Sequence, residues 1–171
     1  SPAPTLAAMA ARLEASGCDF LVMPCNTAHV FLDAILAATR IPFVSIIDVT
    51  LERALGSGAD RIGVLASGAC IEAGVYQDAI AAAGKTPVLQ TQSELADLTL
   101  LIARIKTGDR GPGVRAEMQA LAKRLTERRA EALILGCTEI PIVLDETDAD
   151  VPLFSSSDIL AETTVAIAVG N

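Results

Sequence analysis

The sequence predicts a parallel α/β protein of two pseudo-symmetric lobes, each a parallel sheet flanked by helices. Short apolar runs alternate with helical patterns along the chain, and one helix–strand–Cys–helix–strand unit occurs twice. At 51% hydrophobic and 20% charged residues, the 171-residue chain also has ample material for a buried core.

The predicted strands are Asp19–Met23, Pro42–Ile47, Arg61–Ala66, Pro87–Gln90, Ala132–Leu135 and Val151–Phe154. Their near-continuous Val/Ile/Leu character suits strands covered on both faces rather than a half-exposed sheet. Between them, Leu6/Met9/Leu13 and Met118/Leu121/Leu125 recur at helical spacing. A further helix is expected over Thr50–Leu55, and Thr107–Gly113 (T-G-D-R-G-P-G) reads as the most polar loop.

The repeat appears when Cys25 is aligned with Cys137. Arg12-Leu13 then falls on Arg124-Leu125, Asp19 on Glu131, and the run Phe20–Met23 on Ala132–Leu135. Each cysteine is followed by a small polar residue, Asn26 or Thr138. Farther on, Ile41-Pro42-Phe43 matches Val151-Pro152-Leu153.

Composition excludes several function classes. Lys and Arg total 13 against 21 Asp and Glu, a net charge of -8, so no basic face is available to bind nucleic acid. No apolar run approaches the length of a membrane span, and Ser-Pro-Ala-Pro-Thr at the start is not a signal peptide. The four cysteines form no Cys-x-x-Cys pair and His29 is the single histidine, so no metal site is expected. Free thiols in a cytoplasmic setting fit this usage. Gly84-Lys85-Thr86 lacks the leading glycine of a phosphate-binding loop, and neither Gly-x-Gly-x-x-Gly nor Gly-x-Ser-x-Gly occurs.

In parallel α/β sheets, ligands bind beyond the carboxyl ends of the strands. Cys25 and Cys137 each stand at such an end, where a following helix would lower the thiol pKa. One thiol from each lobe, facing a common cleft, suits a reaction needing a base on one face of a carbon and an acid on the other. Racemisation or epimerisation is such a reaction.

Met23-Pro24-Cys25-Asn26-Thr27-Ala28-His29 and Leu135-Gly136-Cys137-Thr138-Glu139-Ile140-Pro141 resemble the paired signatures of the aspartate/glutamate racemase family. The likeness also touches Arg61–Ala66 with Gly74-Val75-Tyr76 and extends over nearly the whole chain. It implies an amino-acid racemase that needs no cofactor, acts on a small, dicarboxylic amino acid and is often a homodimer. It implies Cys25 and Cys137 as the acid/base thiols, with Asn26, Thr27 and Thr138 holding the substrate's α-carboxylate and amine. Glu139, where glutamate racemases usually have His, leans toward the aspartate or broad-specificity branch. Lys106 resembles the lysine that aspartate racemases place on the distal carboxylate, and Ser67 and Cys70 fall where the pocket is lined.

The sequence departs from the family pattern at Cys70, where Thr is common, and at Ser155, where Asp is common. Family members also begin with a strand, glycine-rich turn, helix and second strand. This sequence opens at the helix before Cys25, so the first lobe is expected to be incomplete. Residues 1–49 are assigned to that lobe, 50–150 to the second, and 151–171 to a last strand and helix returning to the first. Cys18 reads as a core residue. Cys70 reads as either pocket lining or helix packing, His29 as a partner of Cys25 or a solvent-facing side chain, and Asp48 as a cleft residue or a helix cap. Sister activities on this fold, maleate isomerisation or hydantoin racemisation, are the alternatives to amino-acid racemisation, as is a non-catalytic binding remnant.

Overall fold

The computed structural model describes residues 1–170. Four parallel strands form the main sheet in the order β4-β3-β5-β6: β3 is Arg61–Ala66, β4 Thr86–Leu89, β5 Ala132–Gly136 and β6 Leu153–Ser155. Every residue of β5 and all but the first of β3 are buried, as their unbroken apolar sequences require. Leu65, Leu133 and Leu135 face α6 (Gln92–Lys106) and α7 (Pro112–Glu127), packing on Leu98, Leu101, Met118 and Leu125. Ile62, Val64, Ala66 and Ile134 face the other way, against Ile46, Leu51 and Ala54 of α3 (Ile46–Leu55), Tyr76, Ile80 of α5 (Gln77–Ala82) and Leu160 of α8 (Ser156–Val169). The short helix α4 (Gly68–Glu72) follows β3.

A smaller unit precedes this sheet. Helix α1 (Ala3–Ala15) and α2 (Leu32–Leu36) pack beside a parallel pair, β1 (Leu21–Val22) and β2 (Phe43–Val44), registered Leu21 to Phe43. Its separate core has only Ala10, Leu21 and Ile35 fully inside among the described residues.

The duplicated pattern is visible as a repeated chain path, α1–β1–β2–α3 and α7–β5–β6–α8. Even the caps repeat: Ser45 Oγ accepts from the Asp48 N–H at 3.2 Å and Ser155 Oγ from the Asp158 N–H at 3.4 Å. The two helices so capped, α3 and α8, pack against each other, joined at their surface by Arg53–Glu162 at 3.3 Å.

Two expectations need adjustment. The expected boundary at residue 49 falls inside α3, which begins at Ile46 because Ser45, not a residue near Thr50, caps it. The last strand, β6, pairs with β5, Leu133 beside Leu153, and α8 follows it onto α3. The polar loop ends at Gly111, since Pro112 opens α7 at a position where its missing N–H costs nothing.

Candidate active site

Both cysteines stand just beyond the first strand of a repeat. Cys25 follows β1 by three residues and is exposed, while Cys137 follows β5 directly and is half-buried. No α-helix starts at either: each is followed by a 3-10 turn, Thr27–Phe31 or Ile140–Ile142. The expected acidification is reversed at Cys137, whose thiol pKa is pushed up to about 12. Burial is the main cause. The thiol also donates to Glu139 Oε2 at 2.9 Å, and that negative charge further disfavours a thiolate.

Glu139 in turn lies 3.5 Å from Lys106 Nζ and accepts from Thr138 Oγ1 at 3.3 Å. Burial alone would raise the Glu139 pKa, but the Cys137 hydrogen bond and the Lys106 charge outweigh it and hold the carboxyl below its ordinary value. Lys106 is the last residue of α6, and its side chain remains 61% exposed. A thiol, a carboxylate and an ammonium thus stand in one row.

Around Cys25, Thr27 Oγ1 and Ser67 Oγ share a hydrogen bond of 2.9 Å, bringing the first lobe onto the end of β3. Ser67 caps α4, accepting from the Cys70 N–H at 3.4 Å. Cys70 is fully buried and its thiol is pushed up to about 12, by burial first and by the nearby Cys25 second. Cys18, expected in the core, is instead half-buried, three residues before β1. His29 does not face solvent: it is buried, and its Nδ1 lies 2.8 Å from the Cys25 carbonyl oxygen. Asp48 is exposed in the first turn of α3, where its charge acts on His29.

Asn26, the residue after Cys25, is buried. Its amide is 3% exposed and already engaged: Tyr76 Oη donates to Oδ1, and Nδ2 donates to Ser156 Oγ at 3.0 Å. Ser156 Oγ donates onward to the Leu135 carbonyl at 2.8 Å, two residues before Cys137. Tyr76 and Ser156 had no assigned role in the sequence. Gly74-Val75-Tyr76 belongs to the matched pattern, but no local spacing signals a partner 50 residues away.

The site residues therefore form two clusters, Cys25/Asn26/Thr27/Ser67/Cys70 and Cys137/Thr138/Glu139/Lys106, joined through Ser156 and Leu135. Among the described residues, no group of three or more His, Cys, Asp or Glu side chains could hold a metal ion. None of the described helices is long and apolar enough to cross a membrane.

Comparison with known proteins agrees with this architecture. The chain is 31% identical to the broad specificity amino-acid racemase RacX of Bacillus subtilis over 157 residues, covering 92% of this chain and 68% of that protein. It is 34% identical to the glutamate racemase of Beutenbergia cavernae over 140 residues, covering 77% of this chain but only 45% of the relative. An aspartate racemase homologue from Pyrococcus horikoshii OT3 superposes with a TM-score of 0.83 at 25% identity, covering 98% of this chain and 74% of that one. A sequence profile described as Asp/Glu/Hydantoin racemase matches residues 1–164, and the chain belongs to that family.

Proposed function

We propose that the protein is an amino-acid racemase that works without a cofactor on aspartate, glutamate or a similar amino acid, by proton transfer between Cys25 and Cys137. One observation carries this reading: each thiol stands just beyond the first strand of one copy of a repeated unit, and the residues beside them are tied together through Asn26, Ser156 and Leu135. The relatives' activity as amino-acid racemases supports it.

In one direction, Cys25 as thiolate removes the α-proton and Cys137, held as a thiol, delivers its own proton to the opposite face of the carbanion. The C–H bond broken on one side is replaced by one formed on the other, and the thiols exchange protonation states. That exchange leaves Cys137 as the thiolate and Cys25 as the thiol, the state the reverse direction needs, and Glu139, 2.9 Å from Cys137, orients that sulfur. The hydroxyls of Thr27, Ser67 and Thr138 supply donors and acceptors for the α-carboxylate and amine. Lys106 supplies the local cation that a dicarboxylate needs on a chain of net charge -8. Cys70, buried and protonated, lines the site without moving a proton.

Incubating the intact protein with L-aspartate or L-glutamate in D₂O, without pyridoxal phosphate, should place deuterium at the α-carbon of the inverted product. Cys25→Ser and Cys137→Ser should each reduce racemisation by at least about 10³-fold. No exchange across a panel of amino acids and hydantoins would overturn the reading. A covalent substrate adduct on Cys25 in the mass spectrum would also overturn it, in favour of a double-bond isomerase.

A further inference from the structure

We infer that Tyr76 and Ser156 are positioning residues that set the separation of the two cysteine-bearing turns. The inference deepens the racemase reading and, for its kinetic arm, rests on it.

The first lobe is built around a core of its own. Among the described residues that separate core has three buried members, Ala10, Leu21 and Ile35. A buried polar chain crosses from it to the main sheet: Tyr76 Oη donates to Asn26 Oδ1, Asn26 Nδ2 to Ser156 Oγ at 3.0 Å, and Ser156 Oγ to the Leu135 carbonyl at 2.8 Å. Every member has a definite sense. The phenol can only satisfy the amide oxygen as donor, which turns Nδ2 toward Ser156, which in turn spends its proton on the backbone.

All three side chains are buried, with Tyr76 and Ser156 fully inaccessible and Asn26 3% exposed. No water competes for these bonds, and each unmade one leaves a desolvated partner. Tyr76 also touches both sides of the site. Its hydroxyl holds the residue after Cys25, while its ring edge fills the space a side chain at Gly136 would need: Cε2 would lie 3.0 Å from a Cβ there. A single rigid phenol thus spans from Asn26 to the residue before Cys137. A two-thiol reaction depends on that spacing, because a misplacement of about 1 Å at the reacting atoms can cost on the order of 10²-fold in rate.

Tyr76→Phe deletes the hydroxyl and keeps the ring; Ser156→Ala deletes two bonds; Ser156→Thr restores the hydroxyl. For racemisation in D₂O, Tyr76→Phe and Ser156→Ala should lower kcat by about 10- to 100-fold with KM changed less than about threefold. The fraction of deuterium appearing in uninverted substrate should rise, and Ser156→Thr should recover most of kcat. Hydrogen exchange by mass spectrometry supplies an arm that needs no activity. Peptides spanning 23–31 and 133–138 should exchange several-fold faster in Tyr76→Phe and Ser156→Ala, with the middle of α7 unchanged. Wild-type exchange in both peptides overturns the inference whether or not the protein racemises. Faster exchange with wild-type kcat and wild-type label distribution overturns the positioning role and leaves the racemase reading intact. Absence of racemisation in the parent protein overturns that reading instead.

Discussion

The thiol of Cys137 donates a 2.9 Å hydrogen bond to the carboxylate of Glu139, two residues further along the same turn. The donor is held protonated by burial and by the acceptor's charge, and the acceptor is held ionised partly by Lys106 at 3.5 Å. The two members of this pair therefore stabilise each other's protonation state.

Thiol labelling should report that coupling. Cys25, exposed and with no side-chain hydrogen bond among the described residues, should react with iodoacetamide first; Cys137 and the buried Cys70 should lag well behind. Glu139→Gln removes the charge that favours the thiol, so Cys137 alkylation should accelerate about tenfold for each unit by which its pKa falls. Lys106→Ala removes a cation that favours the thiolate and should slow it. Rates for Cys137 that are equal in all three proteins, followed by peptide mass spectrometry near pH 8.5, would sink the coupling.

His29 makes stability pH-dependent. A carbonyl oxygen only accepts, so the nitrogen 2.8 Å from the Cys25 oxygen carries a proton, and Nε2 is left buried with no partner among the described residues. Burial lowers the His29 pKa below 6.5, against the opposing effects of the Cys25 hydrogen bond and the Asp48 charge. The folded-state pKa is depressed, so the unfolded chain takes up the proton first as pH falls. The contribution is complete above 6.5 and is lost below it, at no more than about 1.4 kcal/mol per pH unit. Asn at this position can keep a donor for the Cys25 carbonyl without titrating. Urea midpoints measured from pH 7.5 to pH 5 should fall more steeply for wild type than for His29→Asn, and parallel slopes would refute the assignment.

The elements visible in the sequence are those whose signal is local. Arg61–Ala66 and Ala132–Leu135 are read correctly because a strand buried on both faces is apolar at every position. In the smaller lobe the predicted runs Asp19–Met23 and Pro42–Ile47 shrink to two paired residues each. The paired cysteines are legible because the repeat displays them in matched surroundings. Asn26 is next to Cys25 in the sequence, but its partners Tyr76 and Ser156 lie 50 and 130 residues away, beyond any periodicity or spacing rule. The raised Cys137 pKa is invisible for the same reason in another form. It depends on burial and on the rotamer that brings Glu139 to the sulfur, whereas the residue order at the strand end suggests only a helix dipole.

A second pH effect of opposite location comes from Glu94. Arg128 grips it with two bonds, Nη1 to Oε1 at 2.9 Å and Nη2 to Oε2 at 2.7 Å, and Nη2 also reaches the Leu89 carbonyl at 3.2 Å. The same carboxylate closes the capping box of α6 by accepting from the Thr91 N–H at 2.8 Å. The Arg128 hydrogen bonds, together with Thr91, bring the Glu94 pKa down to about 2 against burial. A depressed carboxyl contributes above its unfolded value near 4.5 and loses that contribution as pH falls toward about 2. Arg128→Met strands a buried carboxylate and should cost on the order of 2–3 kcal/mol at pH 7 by urea unfolding. The difference from wild type should shrink steadily below pH 4.5, and a difference independent of pH would contradict the pairing.

Gly136 links packing to the site. Its register partner on β3 is Ala66, and a Cβ on Gly136 would lie 2.9 Å from the Ala66 Cβ and 3.0 Å from Tyr76 Cε2. The first obstacle is fixed to a strand backbone and the second to a phenol held at its hydroxyl, so neither can swing aside. Gly136→Ala must instead displace the end of β5, carrying Cys137 with it. Overpacking of this kind costs typically about 1–3 kcal/mol, and the loss of kcat should exceed what that destabilisation alone produces at 25 °C, where the variant remains folded. Gly113→Ala is the control: near the start of α7, nothing among the described residues lies within 4 Å of the position its methyl would take, so helix propensity should make it neutral or slightly stabilising. Equal thermal midpoints for the two variants would show that β5 yields freely at its end, and that the close approach of Ala66 and Tyr76 does not hold Cys137 in place.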